Sequence, residues 1–317
     1  MASIPQVATA PTMYFIGVTT TKSSIMRIFP EWMKVLGFPE AKLFGIDLPI
    51  HATKEEYRAV VDFIKNDPLS LGALVTTHKI DIYAAAKDLF DELDEYAQMF
   101  GELSCISKRN GKLVGHAKDP ISSGLALQRF IPSGYWQKHN GGVMLLGSGG
   151  SAIAISSYLL SKDKGQETPQ RMIITDLDMK RLEEIEHILQ DVNRKANVEY
   201  HLVTSHEQTD ELLSSLPSNS LVINATGLGK DRKGSPISDK AEFPRDSLVW
   251  ELNYRGELDF LHQAEKQKQV KNLRVEDGWI YFIHGWTQVI SEVFDIQLTD
   301  KIMEEIELTS TIKRWRD

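Results

Sequence analysis

At 317 residues, with 42% hydrophobic and 25% charged residues, the chain has the make-up of an ordinary globular protein long enough for two domains. A formal net charge of −8 excludes a basic footprint for nucleic acid or anionic lipid, and no apolar stretch approaches the roughly 20 residues of a membrane span. The lone cysteine, Cys105, excludes an intramolecular disulfide, and Met1 to Thr12 has neither the charged nor the apolar region of a secretion signal, so the expected setting is cytoplasmic.

Strand-like and helix-like segments alternate from the start. Tyr14 to Val18 reads as a strand, Ile25 to Val35 as an amphipathic helix, Lys42 to Ile46 as a strand and Lys54 to Lys65 as a helix. Ala73 to Thr77 reads as a third strand, and Ile80 to Met99 has the apolar spacing of one or two helices. Cys105 to Lys108 and Lys112 to Gly115 flank Asn110-Gly111, a strong hairpin signal. The tract from Ile131 to Gly142 reads as a linker.

A dinucleotide-binding βαβ unit follows. Val143 to Leu146 is an apolar run suited to a buried parallel strand, and Gly147-Ser148-Gly149-Gly150-Ser151-Ala152 fits G-x-G-x-x-G/A ahead of an apolar helix from Ile153 to Leu160. Gly147 allows the tight turn, Gly149 admits a pyrophosphate to the backbone, and Ala152 lets helix and strand pack closely, with the helix N-terminus suiting a diphosphate. A second apolar run, Met172 to Ile174, leads to Asp176; the excess over the usual spacing of about 20 residues fits a surface loop over Lys162 to Gln170. A carboxylate at that strand end accepts from both adenosine ribose hydroxyls and repels a 2′-phosphate, so NAD is expected rather than NADP. Lys180 and Arg181 nearby pull the other way, and Asp176 could also serve only as a helix N-cap.

The doubly wound pattern continues with a helix from Met179 to Val192, a strand over Val198 to Val203, a helix near Glu207 to Leu216, strands at Leu221 to Asn224 and Leu248 to Leu252, and a helix reaching about Lys268. Trp279 to Phe294 reads as an apolar helix. The expected fold is α/β: an N-terminal α/β substrate domain, about residues 1–130 completed by a C-terminal segment 276–317, and a Rossmann domain, about 131–275. Trp250, Trp279 and Trp286 are expected in the core. No cluster of His, Asp or Glu has metal-ligand spacing.

Six segments, in order, resemble the shikimate and quinate dehydrogenase family. Gly72-Ala73-Leu74-Val75-Thr76-Thr77-His78-Lys79 is similar to its Asn-Val-Thr-x-Pro-x-Lys motif shortened by one residue, and Gly115-His116-Ala117-Lys118-Asp119-Pro120 to its Gly-x-Asn-Thr-Asp-Gly. Gly147 to Ala152 matches its glycine loop, and Ile223-Asn224-Ala225-Thr226-Gly227-Leu228-Gly229 its Ile-Asn-Ala-Thr-Pro-Leu-Gly. Glu251-Leu252-Asn253-Tyr254 stands at its Asp-x-x-Tyr, and Asp277-Gly278 with His284 at its Asp-Gly…His. The resemblance implies a catalytic pair at Lys79 and Asp119, the backbone of Asn224, Ala225 and Thr226 beside the nicotinamide ribose, and Gly278 near the nicotinamide ring. Independently, hydride removal from a carbinol carbon needs a base for the hydroxyl proton, and a helix N-terminus is a poor place for a merely solvated lysine.

The departures concern recognition. Of the family's Ser-x-Ser pair that binds the substrate carboxylate, the first survives as Ser23 and the second is Ile25; Ser104 and Ala117 replace asparagines, and Gly285 replaces a glutamine, with Gln288 near one turn later. The expectation is chemistry retained and recognition rewritten. One substrate reading is a polyhydroxylated ring without a carboxylate, a cyclitol or carbasugar, held by Ser23, Thr76 or Thr77, Tyr254 and Gln288, with Ser104 also facing it. The other keeps a carboxylate and binds it through Lys22 with Thr20 or Thr21. Expected partners are a small-molecule substrate only, neither nucleic acid nor membrane, with the chain a monomer or homodimer. A non-catalytic, metabolite-sensing regulator on the same fold is the alternative.

Overall fold

A computed structural model describes residues 4–161, 167–230 and 232–314. They fall into two separately packed units, Met1–Lys118 with Gly285–Asp317, and Asp119–His284. Of the loop expected at Lys162 to Gln170, residues 162–166 lie outside the described residues.

In the first unit, strands β1 (Thr12–Gly17), β2 (Lys42–Asp47), β3 (Ser70–Val75), β4 (Glu92–Leu93), β5 (Cys105–Arg109) and β6 (Lys112–His116) form one sheet in the order β2-β1-β3-β5-β6-β4. β1 lies parallel to β2 and β3, and all six of its residues are buried, as a strand covered on both faces requires. β5 runs antiparallel to β3 and β6, and the β5–β6 hairpin turns through Asn110 and Gly111 at φ 53° and 78°. The helices are α1 (Ile25–Val35), α2 (Lys54–Asn66), α3 (Lys79–Ala86) and α4 (Glu95–Phe100). α1 buries Ile25, Ile28, Phe29, Trp32 and Met33, one face at helical spacing, and α2 starts at a Thr53–Glu56 capping box.

The second unit carries α5 (Asp119–Phe130), α6 (Tyr135–Lys138), β7 (Val143–Leu146), α7 (Gly150–Leu160), β8 (Met172–Asp176), α8 (Met179–Asn193), β9 (Val198–Leu202), α9 (His206–Ser214), β10 (Leu221–Asn224), β11 (Leu248–Glu251), α10 (Asp259–Lys271) and β12 (Arg274–Glu276). Its sheet is wholly parallel in the order β12-β11-β10-β7-β8-β9. The winding direction reverses between β7 and β10, and in open α/β sheets ligands bind beyond the strand ends at that point. The tract read as a linker packs instead: Trp136 is buried in the core beside β7, and the Tyr135 hydroxyl donates to the Asn219 carbonyl at 3.0 Å.

The C-terminal region forms α11 (Trp279–Phe294) and α12 (Asp300–Arg314), with the division between the units at His284–Gly285 inside α11. α12, β4 and β12 were not expected from the sequence. α12 packs on α1, where the Trp32 indole N–H donates to the Ser310 hydroxyl at 2.9 Å. Trp250, Trp279 and Trp286 are buried, and among the described residues no helix is long and apolar enough to cross a membrane.

Candidate active site

β7 ends at Leu146 and α7 begins at Gly150, so the chain must turn sharply. Gly147 makes the turn at φ 98°, and a Cβ there would lie 2.9 Å from the Ala225 carbonyl oxygen, so glycine is required. Gly149 has an ordinary φ of −74°, but nothing stands within 4 Å of where its Cβ would be. It caps α7 without a side-chain bond, which leaves first-turn amides, including those of Gly150 and Ser151, for an anion. Ala152 is fully buried against the sheet.

Asp176 closes β8. One carboxylate oxygen accepts from the Ser148 amide and hydroxyl, both at 2.8 Å; the other accepts from the Leu177 and Asp178 amides at 2.7 and 3.0 Å. The N-cap of α8 is Asp178, not Asp176. With four donors Asp176 braces the glycine loop as well as facing the space above it. That space is a cleft of about 560 Å³ lined by Gly147, Gly149, Asp176, Arg181, Thr226 and Arg232 among others.

Asn224, at the end of β10, is wholly buried and turned inward. Its carbonyl accepts from the Thr226 amide and hydroxyl at 3.1 and 2.7 Å, and its amide donates to Glu251 at 2.7 Å. It therefore shapes the turn that carries Ala225 and Thr226 into the cleft wall. Glu251 also accepts from the backbone and side-chain amides of Asn253, yet burial pushes its carboxyl up to about 7 against the pull of those donors. Gly278 has a backbone reason to be glycine, since a Cβ would lie 1.9 Å from the Leu252 carbonyl oxygen. His284 is buried, and burial holds its imidazole down to about 4. The Tyr254 ring packs on Trp279 and Phe282, with centroids 5.3 and 4.7 Å away.

In the first unit β3 stops at Val75, so Thr76 and Thr77 lie in the turn before α3, and Lys79 is the first residue of that helix. Lys79 and Thr76 are half-buried and Thr77 is exposed; the Thr76 hydroxyl donates to the Ile16 carbonyl at 3.1 Å. Ser104 is buried, and its hydroxyl accepts from the Lys118 amide at 2.7 Å, which ties the chain just ahead of Asp119 to β5. Asp119 opens α5 in the second unit.

Two substrate expectations need correction. Ile25 is wholly buried on the core face of α1, so the position of the family's second serine is a core position here. Thr20 is buried, and its amide and hydroxyl both donate to Asp47, at 2.8 and 2.6 Å, which removes it as a carboxylate ligand. Ser23 and Gln288 are half-buried; Thr21 and Lys22 are exposed.

Sequence reasoning missed a polar network. The Lys118 ammonium pairs with Glu292 of α11 at 2.5 Å; Glu292 also meets Arg109 at 3.3 Å and His116 at 3.7 Å, and His116 meets Ser107 at 2.9 Å and Asp94 at 3.5 Å. Burial raises the Glu292 carboxyl, but Lys118 and the neighbouring positive charges prevail and hold it below its usual range. No local signal reveals partners 174 positions apart. Among the described residues no group of three or more His, Cys, Asp or Glu is gathered to hold a metal.

No family model matches the chain. It is similar to a shikimate dehydrogenase (NADP(+)) of Lactococcus lactis subsp. cremoris, 26% identical over 225 residues, 70% of this chain and 73% of that one. It is also similar to one from Streptococcus thermophilus, 29% identical over 183 residues, 56% of this chain and 58% of that one. In fold it is similar to quinate dehydrogenase of Corynebacterium glutamicum, solved in complex with NAD, with a TM-score of 0.74, 17% identity, and 96% of this chain and 99% of that one covered.

Proposed function

We propose, from the premise that the chain belongs to the shikimate/quinate dehydrogenase family, that it is a nicotinamide-dinucleotide oxidoreductase acting on the CH–OH group of a polyhydroxylated ring. The observation that carries this reading is the cleft at the carboxyl ends of β7 and β10. Its floor is a glycine loop open at Gly149, its anion site is the uncapped start of α7, and its edge is the Asp176 carboxylate. A bound dinucleotide supplies the hydride acceptor or donor at nicotinamide C4. Lys79 takes the substrate hydroxyl proton during oxidation and returns it during reduction, with Asp119 as the carboxylate that keeps the ammonium oriented and charged.

NAD is the proposed cofactor. Ribose hydroxyls would donate to Asp176 in exchange for the Ser148 hydroxyl, whereas a 2′-phosphate would meet a fixed negative charge. The opposite reading, NADP, is favoured by Arg181 and Arg232 in the same cleft and by the NADP(+) in the names of the curated relatives.

The substrate proposed is a shikimate-like or carboxylate-free ring such as a cyclitol, with hydroxyls held by Ser23, Thr76 or Thr77, Tyr254 and Gln288, and with Ser104 acting through the Lys118 peptide it fixes. The single cysteine favours a cytoplasmic setting. The test follows reduced nicotinamide by absorbance while purified protein meets NAD, NADP and a panel of cyclic polyols with and without a carboxylate. Steady turnover supports the enzyme; nucleotide and polyol binding without turnover supports a metabolite sensor instead.

A further inference from the structure

The cleft of the second unit is lined by two arginines, Arg181 and Arg232, and the sheet keeps them apart. β7 lies between β10 and β8, so its glycine turn has a neighbour on either side. On the β8 side the Gly147 amide donates to the Thr175 carbonyl at 2.8 Å. On the β10 side the Ala225 carbonyl oxygen stands 2.9 Å from where a Gly147 Cβ would be. Arg181 belongs to α8, which follows β8 and Asp176, whereas Arg232 belongs to the chain that follows β10.

Arg232 returns to the strand end because of the turn before it. Gly227 and Gly229 sit in the left-handed region at φ 72° and 85°. The family motif has proline where Gly227 stands, and a proline ring, which holds φ near about −65°, cannot make that turn. The turn is then fixed by its neighbours. The Gly229 amide donates to the Arg232 carbonyl at 2.7 Å, the Leu258 amide donates to the Gly229 carbonyl at 3.0 Å, and the Asn253 side-chain amide donates to the Leu228 carbonyl at 3.0 Å. Leu228 and Arg232 pair as an isolated bridge. From there the Arg232 guanidinium donates to the Thr226 carbonyl at 2.7 Å, which holds the side chain at the β10 wall of the cleft and leaves its other N–H donors for an anion.

The chemistry of a dinucleotide calls for a cation there. Its diphosphate is anionic, the glycine loop from Gly147 to Ala152 contributes no charged side chain, and the carboxylates of Asp176 and Asp178 line the same cleft. The amides at the start of α7 offer only partial charge. A guanidinium already held by one backbone bond presents its remaining donors to phosphate oxygens with less rotamer freedom left to lose. We propose that Arg232 is a ligand of the dinucleotide diphosphate and contributes alike to NAD and NADP, whereas Arg181 stands on the side of the adenosine ribose. The proposal rests on the dinucleotide reading of the cleft given above.

The experiment reads binding without turnover. NAD, NADP, ADP-ribose and adenosine are each titrated by calorimetry into the intact parent protein, Arg232→Gln and Arg232→Lys, with no substrate present. In Arg232→Gln the three diphosphates should weaken by a common factor of roughly 10-fold to 10²-fold while adenosine is unmoved, because charge-assisted bonds to phosphate are lost. Arg232→Lys, which keeps the charge without the planar fork, should lie between. A loss confined to NADP would overturn the proposal by assigning Arg232 to the 2′-phosphate. A loss shared by adenosine, or no loss at all, would overturn it by leaving Arg232 only the turn at Thr226. Should Arg232→Gln not fold, Arg232→Lys decides alone: a common loss for the three diphosphates with adenosine unmoved supports the proposal, and any other pattern overturns it. A protein that shows the common loss but oxidises no polyol would defeat the dehydrogenase reading and leave Arg232 in this role; turnover with affinities indifferent to Arg232→Gln would do the reverse. A parent protein that binds none of the three diphosphates would overturn both.

Discussion

Replacing Asp176 with alanine should change which dinucleotide the cleft accepts, and the structure sets the scale. The carboxylate gathers four donors, from Ser148 twice and from the Leu177 and Asp178 amides. NAD bound as proposed would exchange at least one of these for ribose hydroxyls, and a hydrogen bond to a charged acceptor contributes about 1.5 kcal/mol, so the dissociation constant for NAD should rise by roughly 10-fold. For NADP the change has the opposite sign. Two unit charges 4 Å apart repel by about 1 kcal/mol in water and about 4 kcal/mol near a protein surface, so removing the carboxylate should tighten NADP by between about 5-fold and 10³-fold. The ratio of affinities should therefore move toward NADP by roughly 50-fold or more, with Arg181, Arg232 and Asp178 left among the charged residues that line the cleft. Titration of both nucleotides by fluorescence, with a thermal melt to separate loss of the loop brace from loss of selectivity, makes the measurement. An affinity ratio equal to that of the parent protein would refute the argument.

Two further perturbations bear on the same account. Ile25→Ser should lower stability by about 2–4 kcal/mol in a denaturant titration, because Ile25 is wholly buried; unchanged stability with new use of carboxylated rings would show that the position faces substrate after all. His284 and Glu251 should give opposed pH dependences. The His284 imidazole, at about 4 against an ordinary 6.5, costs stability as pH falls through that window; the Glu251 carboxyl, at about 7 against 4.5, costs stability as pH rises through its own. Relative to the parent, His284→Asn should be about 2 kcal/mol more stable at about pH 5 than at about pH 7, read from denaturant midpoints; a difference independent of pH would contradict the buried neutral imidazole.

Much of the architecture is legible because it rests on periodicity. α1 and α11 lie where the apolar spacing puts them, and Asn110-Gly111 marks its hairpin by left-handed backbone that those residues tolerate. The glycine loop is legible for the same local reason. What escaped notice depends on tertiary context. β4 has two residues, too few for a period. Within the site, residue type proved a poorer guide than environment. Ile25 stands where a polar pocket was expected and faces the core; Thr20 is engaged by Asp47; Asn224 spends both ends of its amide inside the protein. Glu102 is buried and the Lys118–Glu292 pair half-buried, and no sequence pattern announces such charges before the fold brings their surroundings together.

The central claim is that Lys79 serves as the acid/base for hydride transfer on a dinucleotide held at Gly147–Ala152. Its most direct test compares the parent protein with Lys79→Ala, following reduced nicotinamide by absorbance with an accepted polyol while nucleotide affinity is titrated separately. The account predicts turnover lowered by roughly 10²-fold to 10⁴-fold with nucleotide affinity essentially unchanged. Turnover that survives in Lys79→Ala, or its loss together with nucleotide binding, would contradict it.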